Sequence, residues 1–420
     1  MSKTTFSTHH GMTDLLPDQT AQWQALEAII HETARRFHFQ EIRTPVLEQT
    51  ELIARGVGQL TDIVSKEMFT FDRGDDHYVL RPEGTAPVAR AYVQHHLGQR
   101  GGSQRLYYIG PFFRAERPQK GRQRQFHQFG AELIGAGSAL ADVEIIAFMG
   151  GIYQQVGIRN TRLKLNSVGD PLSRDAYRKA LSDYFRPLAG ELSDVSRNRL
   201  ETNPMRILDS KEEQDQPIKE GAPKITDYLS NASAAHYDSV KSMLDRLGIP
   251  YEEDPFLVRG LDYYTETAFE LISPDLGSQD ALGGGGRYDL LIEEVGGQPT
   301  PAVGFACGIE RLMIACESLG ISLAELAGPD IYFVTRGTDA AEWALQKMPE
   351  LRNYGLVCTM DYSGRSLKAQ MKDANRQQAR YAIIVGEQEL NENLFTLRDM
   401  GKSEEEKVSG DDIAGRVLSQ

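Results

Sequence analysis

RLYYIGPFFRAERPQKGRQRQFHQFGAELIG, residues Arg105–Gly135, reads as two strands joined by a basic loop. Between Arg114 and Arg124 the loop holds Arg114, Arg117, Lys120, Arg122 and Arg124 against Glu116 alone. A hairpin tipped in this way can clamp a polyphosphate, because arginine forks match phosphate oxygens. The same charge run also reads as a solvated surface loop.

Outward from this hairpin the rhythm of short strands and turns continues. Upstream, Gln19 to Phe39 predicts an amphipathic helix, with Trp23, Leu26, Ile30, Ala34 and Phe37 at spacings of three and four and a start signal at Pro17-Asp18. EIRTPVLEQ then alternates like a strand, with Pro45 at an edge or end, and KEMFTFDRGDDHYVLRPE follows in strand-like pieces. Downstream, a polar, helix-patterned stretch from about Asp170 to Asp254 reads as an insertion. Strand patterns return in FLVRGLDYYTETAFELIS and ALGGGGRYDLL, before a helix carrying Ile309, Leu312, Met313 and Cys316 on one side. Closely spaced strands joined by turns predict an α+β fold on an antiparallel sheet rather than βαβ winding. Gly328-Pro329-Asp330 marks a boundary. Beyond it, IYFVT, LVCTMDY and YAIIVG alternate with helical segments as β-α-β-α-β. The expected domains are therefore residues 1–325, with the insertion at about 170–254, and an α/β domain over 329–420.

The chain has 420 residues and a net charge of −14, which on its face argues against a nucleic-acid partner. Local patches run the other way: the hairpin loop, and YSGRSLKAQMKDANRQQAR, where one helix would carry Arg365, Lys368, Lys372, Arg376 and Arg380 on one face, opposed by Asp373. That face reads as solvated or as turned toward RNA phosphate. No stretch approaches the ~20 apolar residues of a membrane helix. The start lacks an apolar signal-peptide core, so a cytoplasmic location is expected. Cys307, Cys316 and Cys358 show no metal-ligand spacing and no disulfide framework.

Three further strings carry chemistry. In LRPEGTAPVAR, Glu83 and Thr85 follow a strand at a Pro-Glu-Gly turn; together they could hold an ammonium group, or Thr85 could cap a helix beginning near Pro87. In LVRGLDYYTETAFE, Tyr263 and Tyr264 read first as packing residues. GGGGRYD, Gly283–Asp289, fits neither GxGxxG nor a P-loop, so its glycines are better explained by close approach of backbone to a flat ligand.

The hairpin string resembles motif 2 of class II aminoacyl-tRNA synthetases, in the form used by histidyl-tRNA synthetases. TPAVGFACGIERLMI resembles motif 3 of the same class. LVRGLDYYTETAFE and GGGGRYD resemble two signatures of the histidine family, and Pro45 sits where motif 1 has its interface proline. The resemblance covers nearly the whole chain, the insertion least specifically. It implies a class II antiparallel catalytic sheet flanked by helices, with a C-terminal α/β anticodon-binding domain, in a homodimer. The implied reaction joins L-histidine to tRNA(His) through histidyl-adenylate, with ATP as substrate and Mg2+ accompanying it on ligands the chain does not reveal.

The roles it implies are specific. Arg114 and Arg259 would flank the α-phosphate as catalytic groups, and Arg114, Arg122 and Arg311 would bind ATP, Arg311 stacking on adenine above Gly304 and Gly308. Glu83 and Thr85 would take the α-ammonium group. Gln128, Glu132, Tyr263 and Tyr264 would surround the histidine, with Glu132 and Tyr264 on opposite sides of the imidazole. Arg117 and Gln119 would approach the tRNA acceptor end. Arg287 belongs to the GGGGRYD signature. A histidine-sensing, non-catalytic paralogue resembles the same catalytic domain; it lacks the C-terminal domain and departs from the signature containing Arg259.

Overall fold

Helix α1 (Pro17–Arg36) opens on Pro17, whose fixed φ suits the first helical position, and buries Trp23, Leu26, Ile30, Thr33 and Ala34. The apolar spacing predicts a helix running to Phe39. It stops at Arg36 instead, because Phe37 leaves helical geometry and His38 takes a φ of 59°. This computed structural model describes residues 6–58, 61, 63–119, 121–258, 260–325 and 327–419, with no side-chain description at 277–279. The chain divides into two units, Met1–Ala324 and Glu325–Gln420.

EIRTPVLEQ is not one strand. The stretch around Pro45, which has no N–H for a ladder, separates β1 (Gln40–Glu41) from β2 (Leu47–Gln49), and the two enter different sheets. After α2 (Thr50–Val57), residues Ile63–Glu67 form a wide helical turn that takes in Lys66 and Glu67, the first two residues of the expected strand-like stretch. The hairpin β3 (Phe69–Arg73) and β4 (Asp76–Leu80) joins β2 in a three-stranded sheet of order β2-β4-β3.

Then come α3 (Thr85–Gln94), β5 (Gln104–Phe113), β6 (Gln125–Ile134), α4 (Ala139–Val156) and β7 (Arg162–Ser167). The insertion follows as α5 (Pro171–Phe185), α6 (Asp194–Thr202), α7 (Gln216–Glu220) and α8 (Asn231–Leu247). Asp170, Ser193 and Ser230 cap three of these helices by accepting from the N–H three residues on. The insertion buries its own cluster, including Tyr177, Leu181, Phe185 and Ile207. The chain returns through β8 (Tyr251–Glu253), β9 (Thr265–Ile272), β10 (Ala281–Arg287), α9 (Leu291–Glu294), β11 (Ala302–Gly308) and α10 (Ile309–Ser318).

The eight-stranded sheet has the order β1-β5-β6-β11-β10-β9-β7-β8. Its two edge pairings, β1 with β5 and β7 with β8, are parallel; the rest are antiparallel. Alternation decides its two faces. Phe129, Ala131 and Leu133 of β6 and Val303, Phe305 and Cys307 of β11 pack into one large core with Ile30 of α1, Phe148 of α4, Leu244 of α8 and Leu312 of α10. The intervening residues, Gln128, Gly130 and Glu132 of β6 and Gly304, Ala306 and Gly308 of β11, therefore face the other side.

The second unit contains β12 (Ile331–Thr335), α11 (Thr338–Asn353), β13 (Cys358–Met360), α12 (Leu367–Arg376), β14 (Tyr381–Val385), α13 (Glu387–Glu392), β15 (Leu394–Asp399), β16 (Glu405–Ser409) and α14 (Ile413–Leu418). Its sheet order is β13-β12-β14-β15-β16, parallel through the first three strands and antiparallel thereafter. The last antiparallel pair was not foreseen from sequence. The basic stripe also needs correcting: α12 contains Lys368, Lys372 and Arg376, while Arg365 and Arg380 lie outside it. Arg365 pairs with Asp361 and Asp373 at 2.6 and 2.7 Å, and Arg376 also pairs with Asp373, so part of the positive charge is neutralised within the unit. Among the described residues no helix is long and apolar enough to cross a membrane.

Candidate active site

β5 and β6 form the hairpin, pairing from Gln104↔Ile134 to Phe113↔Gln125, and Arg114 N–H extends the ladder to the Arg124 carbonyl at 2.9 Å. Gln119 and Arg122 exchange backbone bonds at the tip, around Gly121 at a φ of 74°, a left-handed turn suited to glycine. Arg117 and Gln119 are exposed on this loop. Lys120 lies outside the described residues. At the base of the loop, Arg114 Nε donates to the Pro82 carbonyl at 2.9 Å while its guanidinium lies 5.2 Å from the Phe126 ring centre.

A cavity of about 430 Å³ opens on the side of the sheet that Gln128 and Gly308 face. Arg114, Arg122 and Arg311 line it together with Glu83, Thr85, Gln128, Tyr263 and Tyr264. Arg122 meets Glu116 at 3.4 Å; Arg311 donates to the Gly121 carbonyl at 3.4 Å and the Ala281 carbonyl at 3.3 Å. Burial, with Arg122 nearby, lowers the pKa of Arg311. Arg259, the other expected catalytic arginine, lies outside the described residues. Its neighbours Val258 and Gly260 line the cavity.

At the start of α3 the alternative reading of Thr85 as a helix cap does not hold. The helix begins at Thr85, and it is Glu83 that caps it, accepting from the N–H of Thr85 at 2.8 Å and of Ala86 at 2.7 Å. The Thr85 hydroxyl is directed instead to Glu132 at 2.8 Å. Burial pushes the Glu83 carboxyl up, while the two backbone donors and the Arg114 charge pull it back. The Tyr263 and Tyr264 rings are buried with centroids 4.7 Å apart, and Tyr263 meets Tyr288 at 5.6 Å. Gln128 presents a buried Oε1 to which no described residue donates.

Glu132 departs from expectation. It is fully buried and does not line the cavity. Hydroxyls of Thr85, Tyr108 and Tyr288 donate to its carboxylate, so they separate it from a ligand. Burial pushes its carboxyl up to about 8, against the pull of the Tyr288 and Thr85 hydroxyls. A carboxyl raised in the fold contributes stability that is full below its ordinary value of 4.5 and is lost as pH rises through about 8. Glu132→Gln cannot ionise, so its stability relative to the parent should improve between about pH 5.5 and about pH 8.5. Urea unfolding of both proteins at the two values measures this; an unchanged difference would remove the protonation account.

The glycines also answer to neighbours within the protein. A Cβ on Gly304 would fall on the Glu132 carboxylate, and one on Gly285 would strike the Gly304 carbonyl and the backbone of Phe305. A Cβ on Gly286 would lie 2.9 Å from the Tyr264 ring, and one on Gly283 would strike the Cys307 sulfur. Close packing between strands and against the tyrosine, rather than a flat ligand alone, requires them. Gly283, Gly284 and Gly308 still line the cavity. Arg287 is buried in a clasp with Asp142, Asp289 and the carbonyls of Ala136 and Ser138, away from the cavity lining.

Sequence reading missed several residues of the site. Glu310 accepts from the backbone N–H of His127 at 2.9 and 3.0 Å and lies 3.0 Å from its Nδ1, tying β6 to α10. Arg206 and Asp209 of the insertion line the cavity; their helical, polar context carries no local signal for it. Among the described residues no group of three potential ligand side chains converges on a metal position.

A family model described as histidyl-tRNA synthetase matches residues 11–312, and one described as anticodon binding domain matches residues 331–420. A curated relative from Chloroherpeton thalassium, named histidine–tRNA ligase, is 48% identical, covering 99% of this chain and 98% of its own. Another of that name, from Desulforamulus reducens, is 46% identical, covering 95% and 96%. The crystal structure of apo S. aureus histidyl-tRNA synthetase superposes with a TM-score of 0.83 at 39% identity, covering 98% of this chain and all of that one. Likeness of this extent runs from the basic hairpin through the glycine strand into the second unit, and the chain belongs to the histidyl-tRNA synthetase family.

Proposed function

We propose that this chain ligates L-histidine to tRNA(His), consuming ATP and releasing AMP and pyrophosphate. The observation that carries the reading is one cavity lined both by four arginines, Arg114, Arg122, Arg206 and Arg311, and by Glu83, Thr85, Gln128 and the tyrosine pair. The histidine carboxylate attacks the α-phosphorus of ATP; the new P–O bond forms as the bond to pyrophosphate breaks. The terminal ribose hydroxyl of the tRNA then takes the histidyl group, and AMP leaves. Both reactants of the first step are anions, so fixed positive charge is the main lever a protein has.

Arg114 and Arg259 are assigned to the α-phosphate, and Arg122 and Arg311 to the rest of the ATP. Glu83 faces the α-ammonium group, with Thr85 beside it. The unpartnered Gln128 Oε1 suits an N–H donor of the ligand, and Tyr263 and Tyr264 wall the imidazole. Glu132 acts through the hydroxyls it holds. Arg117 and Gln119 on the exposed tip are assigned to the acceptor end, and Lys368 and Lys372 of the second unit to RNA phosphate. Magnesium would enter with the ATP; the described residues show no converging donor set for it, and none of these roles depends on it. A cytoplasmic homodimer, with Pro45 near the twofold contact, completes the reading.

Amino-acid-dependent ATP–pyrophosphate exchange tests it. Of the twenty amino acids, histidine alone should support exchange, and Arg259→Ala should abolish it. Histidine binding without exchange would replace the ligase with a histidine sensor.

A further inference from the structure

Arg174 stands on α5, the first helix of the insertion, and its guanidinium reaches the loop that carries the tyrosine pair. Nη1 donates to the Tyr264 carbonyl at 3.0 Å and Nη2 to the Asp262 carbonyl at 3.2 Å. One planar fork thus spans the backbone on both sides of Tyr263. Bonds from an ionised donor are stronger than neutral ones, and only an arginine presents two in a fixed plane. Burial and the charge of Arg178 lower the pKa of this guanidinium, while Asp262, Asp175 and Glu294 raise it.

The loop needs such a brace. Glu266, two residues past Tyr264, has a φ of 51°, a left-handed conformation that a glutamate rarely holds unaided. Its backbone exchanges bonds with the entrance to the insertion: Glu266 N–H to the Gly169 carbonyl at 3.0 Å, and Val168 N–H to the Glu266 carbonyl at 2.7 Å. Ser233 of α8 donates to the Glu266 carboxylate at 2.8 Å. The insertion therefore grips the segment 262–266 at both ends. The Tyr264 ring, pressed against Gly286, has little room to follow any shift of its backbone.

We propose that Arg174 is a positioning residue for the amino-acid end of the cavity, so that the seating of the insertion sets the affinity for the amino acid through Tyr263 and Tyr264. The proposal rests on the histidine reading of that cavity. The test uses the full chain, with histidine-dependent exchange giving KM for histidine, KM for ATP and kcat, and titration calorimetry giving histidine affinity without turnover.

Arg174→Ala should raise the histidine KM and Kd about tenfold, the scale of one charge-assisted bond, because the loss acts on the ligand only through the loop, with the ATP KM changed by less than about twofold. Arg174→Lys keeps the charge but loses the planar fork that fits the two carbonyls, and should fall between. A purely structural role would lower kcat through the active fraction and leave both KM values alone; that result, or equal rises in both, overturns the proposal. Should the alanine variant not fold, the lysine variant decides by the same split: a parental histidine KM overturns the proposal and a selective rise supports it. An unsubstituted chain that shows no histidine-dependent exchange refutes the ligase reading instead, and histidine Kd values then judge Arg174 alone.

Discussion

Arg114→Ala should slow histidine-dependent exchange by roughly 10²–10³-fold, the scale of removing one preorganised charge-stabilising donor, with the histidine KM nearly unmoved. The reason lies in how the side chain is held. Its Nε is committed to the Pro82 carbonyl and its plane lies against Phe126, so the fork is oriented before any substrate arrives. Its terminal nitrogens bond to no described residue, and the side chain lines the cavity. A group oriented in advance acts on charge that develops in the transition state, and its loss lowers kcat more than ground-state binding. Arg114→Lys keeps the charge but loses both the Nε anchor and the planar stack, and should recover only part of the rate. A loss below about fivefold for the alanine variant would assign the α-phosphate to other groups.

The second large effect is on stability. Arg287→Met should cost the first unit about 3–5 kcal/mol, the range for breaking a buried ion pair by removing one partner. Arg287 and Asp142 are 1% and 0% exposed. The guanidinium donates to Asp142 through both Nε and Nη2, to Asp289 at 3.1 Å and to the Ala136 carbonyl at 3.0 Å through Nη1, and to the Ser138 carbonyl at 3.2 Å. Methionine fills similar space but leaves the Asp142 carboxylate buried beside His236 with its main partner gone. The double change Asp142→Leu/Arg287→Met should regain much of the loss, since an apolar pair carries no uncompensated charge. Urea unfolding of the parent, both single variants and the double variant measures the coupling; a single-variant loss under about 1 kcal/mol would mean that the clasp is solvated.

The fold class was legible because its evidence is local. Strand-length apolar runs separated by Pro-Gly-rich turns announce an antiparallel sheet, and the β-α-β-α-β rhythm after Gly328 announces a separate α/β layer. What stayed hidden depends on residues far apart in sequence. Nothing near Glu132 in the chain shows that Thr85, Tyr108 and Tyr288 converge on its carboxylate. Nor does the GGGGRYD string show that Gly285 faces the Gly304 carbonyl, because strand order is not written in either strand. The cap of α3 stayed open for a different reason: Glu83 and Thr85 both suit a cap, and choosing between them requires knowing where the Thr85 hydroxyl has another acceptor. The insertion's share of the cavity, through Arg206 and Asp209, carries no pattern at all.

The capping of α3 by Glu83 bears on which way round an amino acid can lie. A helix start carries partial positive charge and by itself draws anions. Left bare, the start of α3 would compete for the carboxylate of a bound amino acid. Glu83 places both oxygens on the first N–H groups, so that in its ionised form it opposes the sign of that end of the helix. On the proposed reading of the cavity, a bound amino acid would turn its ammonium toward α3 and its carboxylate away, toward the arginines, where the attack on phosphorus has to begin. In this respect the proposed role of Glu83 is that of a polarity key: by opposing one helix dipole it would exclude the backward binding mode before any contact with the side chain is made.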